Sequence, residues 1–313
     1  MKEELIVSGR MNPGVDPILH IWGWEIATYL FLGGLGAGIL FFAGYFYLQG
    51  KEKQYPTAVR IAPLFVPAFL VLGLIALFLD LHHKLFFWRL YTTIRIQSPM
   101  SWGAWTLMVV APISFLWAGS YIREVFPKWD WKLKILYKLE DLARKLRTEM
   151  AWIMIVFGVI LGIYTGILLS AFNARPLWNT SILGLLFLTS GLSGGAAMIM
   201  WMAKDKLERK MFSRIDLVLI AIELFLIIHM FMGFKASTEV QIAAADLFLG
   251  GPYTLSFWIL VVFIGMILPG MLEVWELRGY HIPAYLPAAM VLIGGIFLRF
   301  IITYAGQASR YLY

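Results

Sequence analysis

Five ionisable residues stand within or at the ends of long apolar runs: Glu25, Asp80, Glu223, His229 and Arg299. A charge in hydrocarbon costs about 2.5–3.5 kcal/mol even on insertion scales, so each of the five marks a candidate site. Acids that take a proton, a histidine that holds one and an arginine that steadies a carboxylate are the parts of proton-coupled chemistry. Asp216 lies two helical turns before Glu223 in the same run and extends that group. Tyr164 adds a phenol near the end of another run. Metal chemistry has few parts available. The chain has no cysteine, which excludes a disulfide framework, a thiolate metal site and an iron–sulfur cluster of its own. Of the five histidines, His82 and His83 are adjacent and cannot face one way, and no run carries two at haem-bridging spacing. A haem b anchor, for which His20 and His229 are a geometrically possible pair on one side, is therefore a minor rival.

The elements that position these residues are membrane helices. Of 313 residues, 60% are hydrophobic and 14% charged, and the mean hydropathy is +0.76. Soluble domains average about 45–50% apolar and about 25% charged, so a soluble globule and a disordered chain are both excluded. Apolar runs near 22–48, 60–80, 102–122, 150–171, 181–202, 216–234, 252–272 and 285–306 each approach the roughly 20 residues that cross a bilayer. They do not alternate as barrel strands do. Between the third and fourth, Leu133, Leu136, Tyr137, Leu139, Leu142 and Leu146 recur at helical spacing in the charged stretch 123–149, which predicts an amphipathic helix on the membrane surface. The first run is too long, and lacks the cleavage site, for a signal peptide.

The net charge of +7 is a topology signal. Seventeen of the 26 Lys and Arg fall in the loops after the first, third, fifth and seventh runs, eight fall on the other side, and Arg299 lies within the last run. The positive-inside rule puts the seventeen in the cytoplasm and both termini outside. Glu25, Asp80, His229 and Arg299 then share the outer half, with Tyr164 beside them, while Glu223 lies deeper and Asp216 nearer the cytoplasmic end. A glycine motif, Gly34-Leu35-Gly36-Ala37-Gly38, returns 157 residues later as Gly191-Leu192-Ser193-Gly194-Gly195. It suggests a parallel duplication: two four-helix bundles, 1–171 and 172–313.

Acids and a tyrosine near one surface, among aromatic walls, suit a quinol, which loses two protons with its two electrons. Asp80 and Glu25 are the expected proton acceptors. Glu223, Asp216, Arg299 and His229 form a candidate relay for a second reading, proton translocation. A solute transporter is the rival from another class, although the charges cluster at one surface and clear mid-span breaks are missing.

Several motifs carry a resemblance. Asp80-Leu81-His82-His83-Lys84-Leu85-Phe86-Phe87-Trp88-Arg89 closes the second run, and Ser98-Pro99-Met100-Ser101-Trp102-Gly103-Ala104-Trp105 opens the third. With Trp22-Gly23-Trp24-Glu25, Tyr164-Thr165-Gly166, Pro176-Leu177-Trp178, Arg299 and Gly306-Gln307, these resemble the NrfD/polysulfide reductase membrane-subunit family along the whole chain. The resemblance implies an all-α, haem-free anchor of eight helices in the cytoplasmic membrane that binds menaquinone or its quinol near the outer face. It implies a ferredoxin-type iron–sulfur partner docked on that face and a molybdopterin catalytic subunit or multihaem cytochrome beyond it. Nucleic acid is not an expected partner. The family's quinone site, built from its first helix and a tyrosine of its fourth, carries over to Tyr164, and Trp24 and Asp80 are further candidates beside it. The histidine that the pattern places between two tryptophans is Gly23 here, so the second ring-oxygen ligand falls to His20 or Glu25. Polysulfide, thiosulfate, tetrathionate, nitrite and formate complexes are all compatible with such an anchor.

Overall fold

The computed structural model describes residues 22–310. Among them there is no strand, and eight helices are long and apolar enough to cross a membrane. The protein is a multi-pass, all-α membrane protein. Its spans are α1 (Trp24–Leu48), α2 (Thr57–Asp80), α3 (Pro99–Val125), α5 (Arg147–Ser170), α6 (Ile182–Met202), α7 (Lys206–Lys235), α9 (Ser256–Leu277) and α10 (Tyr285–Ala308). Between spans lie α4 (Lys134–Lys145) and α8 (Glu239–Asp246), with single helical turns at Lys84–Phe86 and Arg89–Thr92 in the segment that joins α2 to α3.

All eight expected spans are present, but three boundaries move. The sixth begins at Lys206 rather than 216, because its charged first turns still continue the helix. The seventh runs on to Leu277, past the expected 272, and so carries Glu273 and Glu276 into the helix. The third extends through Val125, into the charged stretch 123–149, and the surface helix expected within that stretch occupies Lys134–Lys145. Pro112 sits inside α3 without ending it. Two spans depart from α geometry: α2 opens with a π turn and a 3₁₀ turn around Pro63, and α9 is π-wound over Ser256–Ile267. The irregular start of α2 is tied down from other helices. The Glu208 carboxylate of α7 accepts from Thr57 N at 3.2 Å and Ala58 N at 2.8 Å, and Trp117 Nε1 of α3 donates to Val59 O at 3.0 Å. These bonds supply partners that a membrane interior does not.

The centre is the pair α1 and α6. Within their most apolar stretches 78% and 72% of residues are buried, against 39–50% for the other six spans. α1 packs on α2, α5, α6 and α10; α6 packs on α1, α5, α7 and α10. Helices in lipid gain little from hydrophobic exclusion and associate where small residues let backbones meet. A Cβ on Gly38 would collide with the carbonyl of Gly191, and one on Gly191 with the carbonyl of Gly34. The two glycine motifs that look like a repeat in sequence are thus the two halves of one contact.

Trp22 and Gln307, from the first and last parts of the described residues, bond each other on one face of the bundle; we refer to this as the terminal face. The opposite face carries α4. There Glu140 is buried and accepts from Arg123 Nε at 2.7 Å, Trp131 Nε1 at 2.7 Å and Arg144 Nη2 at 2.6 Å. Burial alone would raise this carboxyl, but these donors and cations outweigh it and hold Glu140 below the usual carboxylate range.

Two outcomes follow. Gly38→Ala meets the Gly191 backbone and destabilises by about 1–3 kcal/mol, the usual range for overpacking. Gly33→Ala, on the same helix with open space around it, is neutral or stabilising, since alanine favours a helix over glycine by about 1 kcal/mol. Thermal unfolding in detergent separates the two. The depressed Glu140 carboxyl contributes stability that is present above its unfolded value, about 4.3, and is lost as pH falls through the lower folded value. Glu140→Gln therefore melts below the wild type at neutral pH, and a pH series of melting temperatures shows the two converging in acid.

Candidate functional site

A cavity opens at the terminal face between α1, α2, α3, α5 and the segment 81–98. Trp22, Ile26, Leu77, Leu90, Leu107 and Leu168 give it apolar walls. Four polar side chains enter it: Tyr29 from α1, Asp80 from the end of α2, Tyr91 from the connecting segment and Tyr164 from α5. Tyr29 and Tyr164 are buried with their phenols within interaction reach of each other, and Tyr91 lies within electrostatic reach of Tyr29. Glu25 and His82 interact with the charge of Asp80. Burial pushes the Tyr91 phenol up, so it stays protonated at neutral pH.

The local sequence explains how these groups are seated. The Tyr164 ring lies where a Cβ on Gly103 would be, so a glycine at this point of α3 makes the phenol's seat. Trp102 Nε1 donates to Ile96 O at 2.8 Å and Ser101 Oγ to Thr93 O at 3.3 Å, which holds the connecting segment against α3. The Trp22 wall is clamped by the end of the last helix. Its N–H donates to Gln307 Oε1 and its carbonyl accepts from Gln307 Nε2, both at 2.9 Å. Its ring meets Trp178 at 5.3 Å and Phe172 at 4.9 Å. Trp178 Nε1 in turn donates to Ile302 O at 2.9 Å.

A second polar group lies in the interior of α6, α7, α9 and α10. Arg299, 1% exposed, donates to Phe187 O at 2.9 Å, to Gly295 O at 3.3 Å and to the Ser190 hydroxyl, with its guanidinium 4.7 Å above the Phe187 ring. The Glu223 carboxyl lies within reach of Ser190 and of the Arg299 charge. Further toward the face that carries α4, Ser193 Oγ donates to Asp216 Oδ1 at 2.6 Å, and Glu273, fully buried, meets the Asp216 carboxyl. Glu276 ends the series, paired with Arg209 at 2.6 Å.

The residues expected from sequence thus separate. Asp80 and Tyr164 share the terminal cavity, with Glu25 beside Asp80. Trp24 is 51% exposed and points away from the cavity, where Trp22 stands instead. His20 lies outside the described residues. Glu223, Asp216 and Arg299 meet in the interior, and neither Asp80 nor Glu25 is among the partners of Arg299. His229 belongs to neither group: it is exposed on the stripe of Val218, Ile222, Phe225 and Met232, stacked on Phe225 at 5.7 Å. Sequence reasoning missed Tyr29, Tyr91 and Glu273. The phenols read as packing or interfacial aromatics, and Glu273 fell one residue beyond the expected span.

A family profile described as "Polysulphide reductase, NrfD" matches residues 12–309. The chain belongs to the NrfD family. Among relatives, it is 33% identical to "Protein NrfD" of Escherichia coli K12, across 92% of this chain and 96% of that one. It is 32% identical to a polysulfide reductase chain of Wolinella succinogenes, across 92% and 94%. A more distant relative is a selenate reductase subunit of Mesobacillus selenatarsenatis, 26% identical across 90% of this chain and 72% of that one.

Proposed function

We propose that this chain is the quinone-reactive membrane subunit of a respiratory reductase complex. The observation that carries the reading is the terminal cavity, where one carboxylate and three phenols project between apolar walls. Such a pocket suits a ring with polar oxygens at opposite ends and an apolar tail, which describes a menaquinol. Tyr164 bonds one ring oxygen. Asp80, half-buried beside Glu25, accepts a proton from the other, and His20 is a further candidate ahead of α1. The substrate supplies two electrons and two protons. The electrons leave singly for an iron–sulfur acceptor in a ferredoxin-type partner, and a molybdopterin subunit or multihaem cytochrome completes the complex. The same groups serve quinone reduction in reverse. The relatives named as parts of polysulfide and selenate reductases support membership of such a complex.

The segment 81–98 supports the partner's position. It exposes Leu85, Phe86, Phe87, Trp88, Ile94 and Ile96 beside Lys84, Arg89 and Arg95, and it has no acidic residue. An apolar, cationic surface over the cavity suits a docked acidic subunit. The positive-inside rule places this face, and both termini, outside the cytoplasmic membrane. The halves 1–171 and 172–313 then divide the chemistry, the first bundle around the cavity and the second around the buried carboxyls. Quinol oxidation by the intact complex tests the site. Tyr164→Phe and Asp80→Asn each lower kcat by about 10²-fold, the low end of general acid–base contributions. Full turnover in both overturns the placement.

A second reading, proton translocation, rests on the buried series Arg299, Ser190, Glu223, Asp216, Glu273 and Glu276. It spans from the middle of the bundle toward the face that carries α4, with the Ser190 and Ser193 hydroxyls beside the acids. Glu223→Gln in proteoliposomes removes proton uptake from the side that carries α4 while quinol oxidation continues. Unchanged uptake in this variant sinks the relay.

A further inference from the structure

The terminal cavity holds more phenols than binding one ring requires. Tyr29 and Tyr164 are 3% and 7% exposed with their phenols within reach of each other, while Tyr91 is half-buried on the segment 81–98. All three line one cavity, graded from buried to half-buried. A buried proton carrier has two demands. It must accept a proton and give one up, and it must avoid holding charge in low dielectric. A phenol is both donor and acceptor, and it is cheaper to bury neutral than a carboxylate is to bury ionised.

We infer that Tyr164, Tyr29 and Tyr91 form a phenol relay that takes one of the quinol's protons from the buried ring oxygen to water at the terminal face. This rests on the quinol-site reading above. As the proton moves to Tyr164 Oη, Tyr164 passes its own to Tyr29, Tyr29 passes its own to Tyr91, and Tyr91 releases one to water. Each phenol is neutral before and after. The second proton leaves the other ring oxygen for the Asp80 carboxylate, and from there goes to water. The two electrons go one at a time to the partner's iron–sulfur acceptor, so protons and electrons balance. Tyr29 is then a proton carrier rather than a prop that holds Tyr164 in place.

The test is oxidation of a water-soluble naphthoquinol by the intact complex in H₂O and D₂O, with quenching of tryptophan fluorescence as a separate measure of naphthoquinol binding. Tyr29→Phe and Tyr91→Phe each remove only a hydroxyl. Both are expected to lower kcat about ten-fold or more, to raise the solvent isotope effect and to leave the naphthoquinol Kd within about two-fold. Loss in Tyr29→Phe with wild-type kcat and isotope effect in Tyr91→Phe reduces Tyr29 to a prop and overturns the phenol relay. Wild-type values in both overturn it as well. If the wild-type complex binds no naphthoquinol, the quinol site itself is wrong and the phenol relay falls with it. Normal binding and normal turnover in the variants leave the site standing without the relay.

Discussion

The backbone contact of α1 with α6 is the constraint on which the rest of the molecule depends. Gly191 lies so close to the backbones of Gly34 and Gly38 that a methyl group on Gly38 or on Gly191 has no room. In lipid this closeness is what holds helices together, because apolar side chains gain nothing by leaving tails for each other. The same strip of glycines admits the buried cation: Arg299 Nη2 lies 3.3 Å from where a Cβ on Gly34 would stand. With one face of α1 committed to α6, its remaining faces receive α2, α5 and α10. The cavity is the space left at the terminal face where α1, α2, α3 and α5 part.

Two solutions to burying polar groups coexist around this centre. In the cavity the buried groups are phenols, which need no counter-charge, and the one carboxylate, Asp80, stays half-buried at a helix end. In the interior of the second half, acids lie fully buried, and a cation, two serines and a second acid answer them. Arg299 in turn takes up backbone carbonyls of α6 and α10, so its charge is satisfied by several weak partners rather than by one ion pair. The first arrangement suits exchange with a neutral, lipophilic substrate. The second suits a proton held within the bilayer.

What the sequence makes legible is depth, and what it hides is direction around each helix. Hydropathy fixes where a residue lies along a span, so all eight spans, the end position of Asp80 and the interior positions of Glu223 and Arg299 can be read directly. Rotation about the helix axis depends on which neighbours pack, and nothing in a uniformly apolar run reports that. Trp22 and Trp24 are two residues apart, yet one walls the cavity and the other faces out. His229 shares its depth with the buried groups but points to lipid. Arg299 lies at a depth that suits Asp80 or Glu25 as partners, but it turns toward Ser190 and Phe187. Tyr29 carries no signal at all, since a tyrosine in an aromatic-rich helix is ordinarily packing. Glu273 was hidden by the charged end of α9, which hydropathy cuts short of the true helix.

The motifs that carry the family resemblance sort by this logic into groups that do chemistry and groups that make room. Gly103 in the Ser98–Trp105 motif is the seat of the Tyr164 ring, and Gly306 is the seat of the Trp178 indole. Each glycine stands in one helix beside an aromatic from another element, and a methyl group in its place would push that ring aside. Gln307, next to Gly306, then reaches across to both backbone polar groups of Trp22. The end of the last helix therefore fixes a wall of a cavity built by the first helices. A signature residue far from the substrate in sequence can thus govern the cavity's shape without touching its chemistry. The position of a glycine relative to the aromatic that it seats is as informative about such a site as the acid and the phenol that line it.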